Sequence, residues 1–456
     1  VIRLTEHIGN NFRIKMYQTE NGELTRYINP SDIYLPRGYQ IDVYAEGLDL
    51  PNYMMFLRNG DILIAESGYI SQNPRVVILR DGVLEVIAEG FHTPMTGVYY
   101  WEGDIYVSHK GFITVIRENG QREDLIFGLP SSGDFSNNNV VIGPDEKIYF
   151  GQGTATNSGV VGTDNLWLLN HPFLHDYPGD YIMLVGQNFK QENIFVASKE
   201  IVYTGAFSPF GVTNMAYEVR KAINKASGSI LRANLDGSEL ELVAWGLRNP
   251  ARIEFDRRDR LYAANHGYDV RGSRPIANAP DEFYRITPGL WYGWPDYSAG
   301  ESVTSPRFMP EGRPQPQFLL TNHPNNAPEP FATFPQNSTI LGFDFDYSGN
   351  FGNFGDVFIA EFGTARIASA ENSTPYAGFG HRISRIDMSS GGVTTFAINK
   401  SGFPSSITGE GGFGRPCDVN FGPDGAMYIL DMGINAPFEQ DVYIPNSGLI
   451  WKVTRV

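Results

Sequence analysis

Cysteine is almost missing from this chain: Cys417 is the only one in 456 residues. That excludes an internal disulfide framework and every zinc-finger spacing. Basic residues are also scarce, 35 against 51 acidic ones, for a formal charge of −16. A nucleic-acid surface and a contact with anionic lipid headgroups both start from a basic face, so neither is expected. No apolar run approaches the roughly 18–20 residues that a membrane span needs. The sequence starts at Val1, not Met, with no recognisable signal peptide, so it begins either after a processed leader or at an artificial boundary. What is abundant is glycine, 50 residues, beside 24 Tyr and 30 Phe. Aromatic residues favour strands and glycine favours turns, so the composition points to a β-rich, loop-rich protein. At this length it can bury a large core without a covalent staple.

An internal repeat organises the chain. Six segments share alternating apolar residues, a polar turn, a short apolar strand and then a polar residue before a closing Gly. They are Met54–Gly68, Gly97–Gly111, Val140–Gly153, Ala251–Gly267, Gly342–Gly363 and Asp418–Gly433. Asn59-Gly60 and Asp424-Gly425 are turn dipeptides of tight hairpins. Further strand-like runs follow at Arg75–Arg80, Phe112–Arg117, Phe283–Ile286, His381–Ile386 and Leu449–Val453. A hairpin cannot bury both its faces alone, whereas radial stacking of several does. The pattern predicts an all-β fold, a single six-bladed β-propeller over residues 1–456. Its last blade is expected to be closed by chain-terminal strands, with loop insertions on one face. The largest insertion is expected at about 154–244, with a helix near Asn214–Ala226. Two separate β-sandwiches are the alternative.

The units end in Glu66, His109, Gln152, His266, Glu361 and Asp431. If pseudo-symmetric, these residues ring the axis. They would then either hold a metal or satisfy open backbone groups at the strand ends. Asp344, Asp346 and Asn350 read either as a calcium loop or, because the later Glu ligand is missing, as an ordinary turn.

Three stretches carry a family resemblance. Ser131–Gly153, Trp245–Pro295 (with Leu-Arg-Asn-Pro at 247–250 and Trp-Tyr-Gly-Trp-Pro at 291–295) and Gly414–Gly433 resemble the soluble quinoprotein glucose and sorbosone dehydrogenases. Those are six-bladed propellers that use pyrroloquinoline quinone (PQQ) and calcium. The resemblance implies that Arg248, Asn249, Arg415 and Cys417 occupy cofactor-binding positions and that the Gly267 and Tyr268 carbonyls hold calcium; Arg366 is a further cation that could compensate in part for missing positive charge. Asp134 matches the acid that orients the family's catalytic His, but Phe135 stands in the place of that His and cannot accept a proton. Cys417 replaces one of a pair of Arg residues, and Gly363 falls where a cofactor-contacting Lys is expected. His92 aligns near a position at the pocket mouth. The catalytic candidates are therefore Asp134 with His92 or His266 as a replacement base, and His109 is a further one. Arg248, Asn249, His266, Arg415 and Cys417 are expected to line one pocket. Cys417 would be reactive only if Arg415 lowers its pKa; a small buried hydrophobe is the alternative. Arg271 and Arg274 either clamp an anionic substrate or pair with Asp269, Asp281 or Glu282.

Three functions are compatible with these residues. One is a quinoprotein dehydrogenase acting on a small sugar or alcohol, secreted or periplasmic or held at the cell surface. A second is a lactonase-like hydrolase with an axial calcium that polarises an ester carbonyl. The third is a non-catalytic propeller that binds a glycan, a surface partner or its own kind.

Overall fold

The computed structural model describes residues 3–9, 12–18, 24–364, 379–435 and 443–456; Arg366 lies outside them. Each of the six repeat units forms the first two strands of its own sheet, and the sheets are arranged as a six-bladed β-propeller. The hairpin turns place at least one residue in the left-handed region. Gly60 (φ 93°) and Gly425 (φ 76°) do so, and so do Glu146 (φ 56°) and Asp259 (φ 59°), which pay strain that glycine avoids.

Two compact units divide the chain, Val1–Val98 with Asn337–Val456, and Tyr99–Gln336. In the first, Pro51–Phe56, Ile62–Glu66, Arg75–Arg80 and Val83–Glu89 pair in sequence order. A second sheet runs Ile340–Asp346, Asp356–Glu361, Arg382–Ile386 and Val393–Asn399, with the short N-terminal strand Ile33–Tyr34 added at its edge. A third runs Pro416–Phe421, Met427–Asp431, the C-terminal Gly448–Arg455 and the N-terminal Tyr39–Leu48. The two ends of the chain thus close one blade together, as the repeat predicts. Phe358, Phe396, Phe413 and Trp451 fill the packing of this unit, and each fully buried large apolar side chain contributes about 1.5–3 kcal/mol.

In the second unit, Asp104–His109, Phe112–Ile116 and Arg122–Phe127 follow Met95–Trp101 in one sheet. Another contains Asn137–Ile142, Lys147–Gln152, Ser229–Asn234 and Glu241–Trp245; a further one contains Pro250–Phe255, Leu261–Asn265, Asp281–Arg285 and Ala332–Phe334. Ser229–Asn234 and Glu241–Trp245 are therefore outer blade strands, and the stretch that interrupts the blade runs from Gly153 to Gly228. It holds no helix at Asn214–Ala226, contrary to expectation; turns flank a two-residue strand, Val219–Arg220, paired with Ile182–Met183. The reason is Asn214. Its buried amide donates to the Ala206 carbonyl (2.6 Å) and accepts from Ser208 (2.6 Å) and Arg220 (2.8 Å). Such local bonds compete with a helix. Trp245, Trp291, Trp294, Phe207 and Phe308 pack beneath this stretch.

Candidate functional site

The strand register decides what the strand-end polar residues do. Pro51 faces Glu66, Asn137 faces Gln152, Ile340 faces Glu361 and Pro416 faces Asp431. In the fourth unit Pro250 faces Asn265, not His266. The expected equivalence was one residue off there, and in a strand one residue is the difference between opposite faces. These groups close their own blades. Glu66 accepts from the Asp49 N–H (2.7 Å) and Arg75. Asn265 Oδ1 accepts from the Arg248 and Asn249 N–H groups (3.1 and 3.0 Å). Asp431 accepts from the Gly414 and Arg415 N–H groups (both 2.8 Å) and from Arg26 (2.7 Å). Glu361 holds Arg382 and Ser384. His109 Nε2 donates to Thr114 Oγ1 (2.8 Å), whose hydroxyl proton goes to Asp124 (2.6 Å). Glu66, His109, Asn265, Glu361 and Asp431 are thus engaged by donors and acceptors of the protein itself. Among the described residues no group of three or more His, Cys, Asp or Glu could hold a metal. Asp346 likewise accepts four N–H groups of its own turn, from Ser348, Gly349, Phe351 and Gly352, so the turn reading holds over the calcium loop.

In the unit Tyr99–Gln336 the expected site residues do converge. Asn138 donates to Asn249 Oδ1 (2.9 Å), and the Asn249 amide donates to His266 Nδ1 (3.0 Å). That chain assigns the neutral His266 proton to Nε2 and occupies its other nitrogen, which leaves no free lone pair on the ring for a substrate proton. His266 packs edge-on to Phe135, centroids 6.1 Å apart. Arg248, 3% exposed, places its guanidinium carbon 4.8 Å from the centre of the Phe135 ring. The guanidinium donates to the Gly267 carbonyl (2.6 Å), the Asn157 carbonyl (3.2 Å), Asn157 Oδ1 (3.0 Å) and Asp269 Oδ2 (2.6 Å). Asp134 does not orient an imidazole. Its oxygens accept from Asn165 (3.0 Å), Trp167 Nε1 (2.9 Å) and Arg271.

Arg271 also pairs with Asp164 (2.7 Å) and Asp269 (3.1 Å), while Arg274 pairs with Asp296 (3.0 Å). The ion-pair reading therefore holds for Asp269, and Asp281 and Glu282 serve elsewhere. Burial raises the Asp269 carboxyl, but Arg248 and Arg271 outweigh it and hold the group below its ordinary range. Asp164 is pushed up, chiefly by burial, against the pull of Arg271. Sequence reasoning missed Asn157, Asp164 and Trp167, because they sit in the loop-rich stretch after Gly153 where no repeat or motif marks them.

The calcium positions can be tested on these contacts. The Gly267 carbonyl already accepts from a guanidinium, and the Tyr268 carbonyl accepts from Gln336 (2.6 Å). A fixed positive charge on one of the two oxygens opposes a second cation, so these residues do not fit a calcium ion.

The other expected residues belong to the unit Val1–Val98 with Asn337–Val456. His92 is exposed in the loop before Met95. Arg415, 2% exposed, donates to the Thr364 carbonyl (2.9 Å) and Asn435 (3.1 Å) and lies against His381. Cys417 does not share that environment. Register slips between Pro416 and Asp418, so Cys417 is the bulged residue and turns into the apolar packing of Met54, Leu430 and Ile450. Its thiol points to the Pro51 carbonyl (3.3 Å), as a small hydrophobe with a weak donor rather than a cofactor ligand. A Cβ at Gly363 would lie 2.5 Å from His381 Nε2, so no Lys fits at that position.

No protein-family model matches the chain. Quinoprotein glucose dehydrogenase B of Acinetobacter calcoaceticus is 26% identical over 184 residues. The match takes in 38% of this chain and 28% of that protein's length. The PQQ-bound aldose sugar dehydrogenase of Streptomyces coelicolor superposes over 92% of this chain and 100% of its own, with TM-score 0.51 at 16% identity. A calcium structure of a family AA12 carbohydrate-active enzyme of Trichoderma reesei superposes over 94% of this chain and 98% of its own, with TM-score 0.57 at 13% identity. The chain resembles the quinoprotein glucose dehydrogenases. It shares their fold, and the structural likeness, at such low identity, speaks for the fold alone. Among the described residues no helix is long and apolar enough to cross a membrane.

Proposed function

We propose that this chain is a sugar-dehydrogenase-type propeller that binds a small sugar or alcohol outside the cytoplasm and does not oxidise it by the PQQ and calcium route. The observation that carries the reading is the Arg248 guanidinium carbon over the Phe135 ring, 4.8 Å from its centre, in the place where a base is required. Hydride removal from a carbinol needs a group that takes the hydroxyl proton within hydrogen-bond reach. Phe135 has no lone pair and His266 Nδ1 is taken. An anionic quinone cofactor also needs unpaired positive charge. Arg248 is paired with Asp269, while Gly363 and Cys417 supply none.

The test is reconstitution with PQQ and calcium, followed by dye-linked assays over aldoses and alcohols for wild type and Phe135→His. Wild-type turnover is expected at background. Robust wild-type turnover would overturn the reading, because general-base help is worth about 10²–10⁴ in rate. Sugar binding is read separately, by isothermal calorimetry over the same panel.

A lactonase-like hydrolase is the weaker alternative, because the strand-end carboxylates are committed to N–H groups and guanidiniums. A second reading rests on the stretch between Gly153 and Gly228. Leu166 (92% exposed), Phe173 (81%), Met215 (76%) and Tyr217 (72%) are large apolar side chains left in solvent, which favours a protein partner or a second copy of the chain. Sedimentation over a hundredfold concentration range separates self-association from a foreign partner.

A further inference from the structure

We propose that the Arg248 guanidinium stands in for a divalent cation, so that this protein holds its site together without metal. Four oxygens surround it, two main-chain carbonyls (Asn157 and Gly267), one carboxamide (Asn157) and one carboxylate (Asp269). These are the donor types of a calcium site. Here Nε, Nη1 and Nη2 each meet at least one of those oxygens, and the guanidinium carbon lies over the Phe135 ring, 4.8 Å from its centre.

The same guanidinium joins segments far apart in the sequence. Asn157 belongs to the stretch after the third hairpin, whereas Gly267 and Asp269 follow the fourth. The two segments are cross-braced: the Asn157 amide donates to the Asp269 carbonyl (2.8 Å), and the Asp269 N–H donates to Asn157 Oδ1 (2.8 Å). Gly267 N–H is tied back to Asp281 (2.8 Å). Without a cation at this point, the Gly267 carbonyl would lose its donor and Asp269 would keep Arg271 alone (3.1 Å), and an inward carbonyl left without a partner is costly. A side chain that delivers its own charge removes the need for an ion from solution. Loss of metal dependence in this chain would then follow from where one arginine side chain points. The inference does not depend on the ligand reading above, since its test contains neither quinone nor sugar.

Calorimetric melts of wild type and Arg248→Ala in EDTA, calcium and magnesium decide it. The wild-type midpoint is expected to stay within about 1 °C across the three conditions. Arg248→Ala is expected to melt lower in EDTA and to recover about 2–5 °C in 10 mM calcium but not in magnesium, as a weak oxygen site would. A wild-type midpoint that rises by several degrees with calcium overturns the proposal. So does a folded Arg248→Ala variant that melts alike in calcium and EDTA. If that variant does not accumulate as folded protein, its refolding yield from urea is the readout. A higher yield in calcium than in EDTA supports the proposal, and equal yields overturn it.

Discussion

Arg248 in the unit Tyr99–Gln336 and Arg415 in the unit Val1–Val98 with Asn337–Val456 are both nearly sealed from solvent, 3% and 2% exposed. Both come from stretches that resemble cofactor-binding segments, yet they are held in opposite ways. Arg248 meets a carboxylate, Asp269, and its charge is neutralised on the spot. Among the described residues no carboxylate bonds the Arg415 guanidinium. The nearby Asp431 is committed to Arg26, to the N–H groups of Gly414, Arg415 and Gly433 and to the Trp451 indole, and Arg415 rests on the Thr364 carbonyl, Asn435 and the His381 ring. Burial accordingly pulls the Arg415 pKa below its ordinary value. Burial, with Arg415 alongside, pushes His381 down so that it stays neutral. A motif arginine therefore carries no functional meaning until its counter-charge is known. One of these two is matched by a carboxylate, and the other is held by neutral acceptors.

Four measurements break or sharpen that contrast. The largest effect is expected where Asp431 loses its partner. Arg26→Met removes the one guanidinium bonded to a carboxylate with 0% exposure, and urea denaturation should show a loss of about 3–5 kcal/mol. A loss below 1 kcal/mol would mean that Asp431 can turn to Arg415, and the contrast would collapse.

Next come the buried carboxyls of the other unit that lack a guanidinium. Asp176 is pushed up to about 7 by burial, against hydrogen bonds from Thr156 and Ala155. Glu282 is pushed up to about 7 by burial, against bonds from Asn265 and Ala299. Each binds its proton more tightly in the folded chain than in the unfolded one. Their stabilisation is thus fully present below the ordinary carboxylate range and is lost as pH rises to about 7. Asp176→Asn should therefore gain stability relative to wild type between pH 5 and 8, by a margin of roughly a few kcal/mol. A stability gap that stays flat over that range would show that the carboxyl is not held protonated.

The third measurement compares the two arginines directly. Arg248→Met leaves the Gly267 carbonyl without its donor and Asp269 with Arg271 alone, and is expected to cost about 2–3 kcal/mol, discounted because Asp269 is 35% exposed. Arg415→Met removes a buried cation with neutral partners and is expected to cost at most about 1 kcal/mol. The opposite order in urea midpoints would refute the comparison. The smallest effect concerns Cys417, at 0% exposure. Native protein should react with no thiol reagent, while denatured protein should titrate one thiol per chain; a fast native reaction would restore Cys417 to the site.

The hairpins, their turns and the closing of a blade by both chain ends were legible in the sequence, because strand alternation and turn residues are local and repeat six times. Arg248, Asn249 and His266 were legible as neighbours for the same reason, since one motif and one hairpin end hold them. The pairing of side chains was not. A bulge of one residue turned Cys417 inward, a register step put Asn265 where His266 was expected, and Asn214 kept its segment out of a helix. None of these has a sequence signature, because each depends on which backbone groups the fold leaves open. The sequence alone determined that Phe135 cannot act as a base, since that follows from the atoms of one side chain. Only the tertiary structure decided that Arg248 is already neutralised. Its partners, Asn157 and Asp269, lie 91 and 21 residues away along the chain, and Coulomb pairing depends on distance in space, not along the sequence.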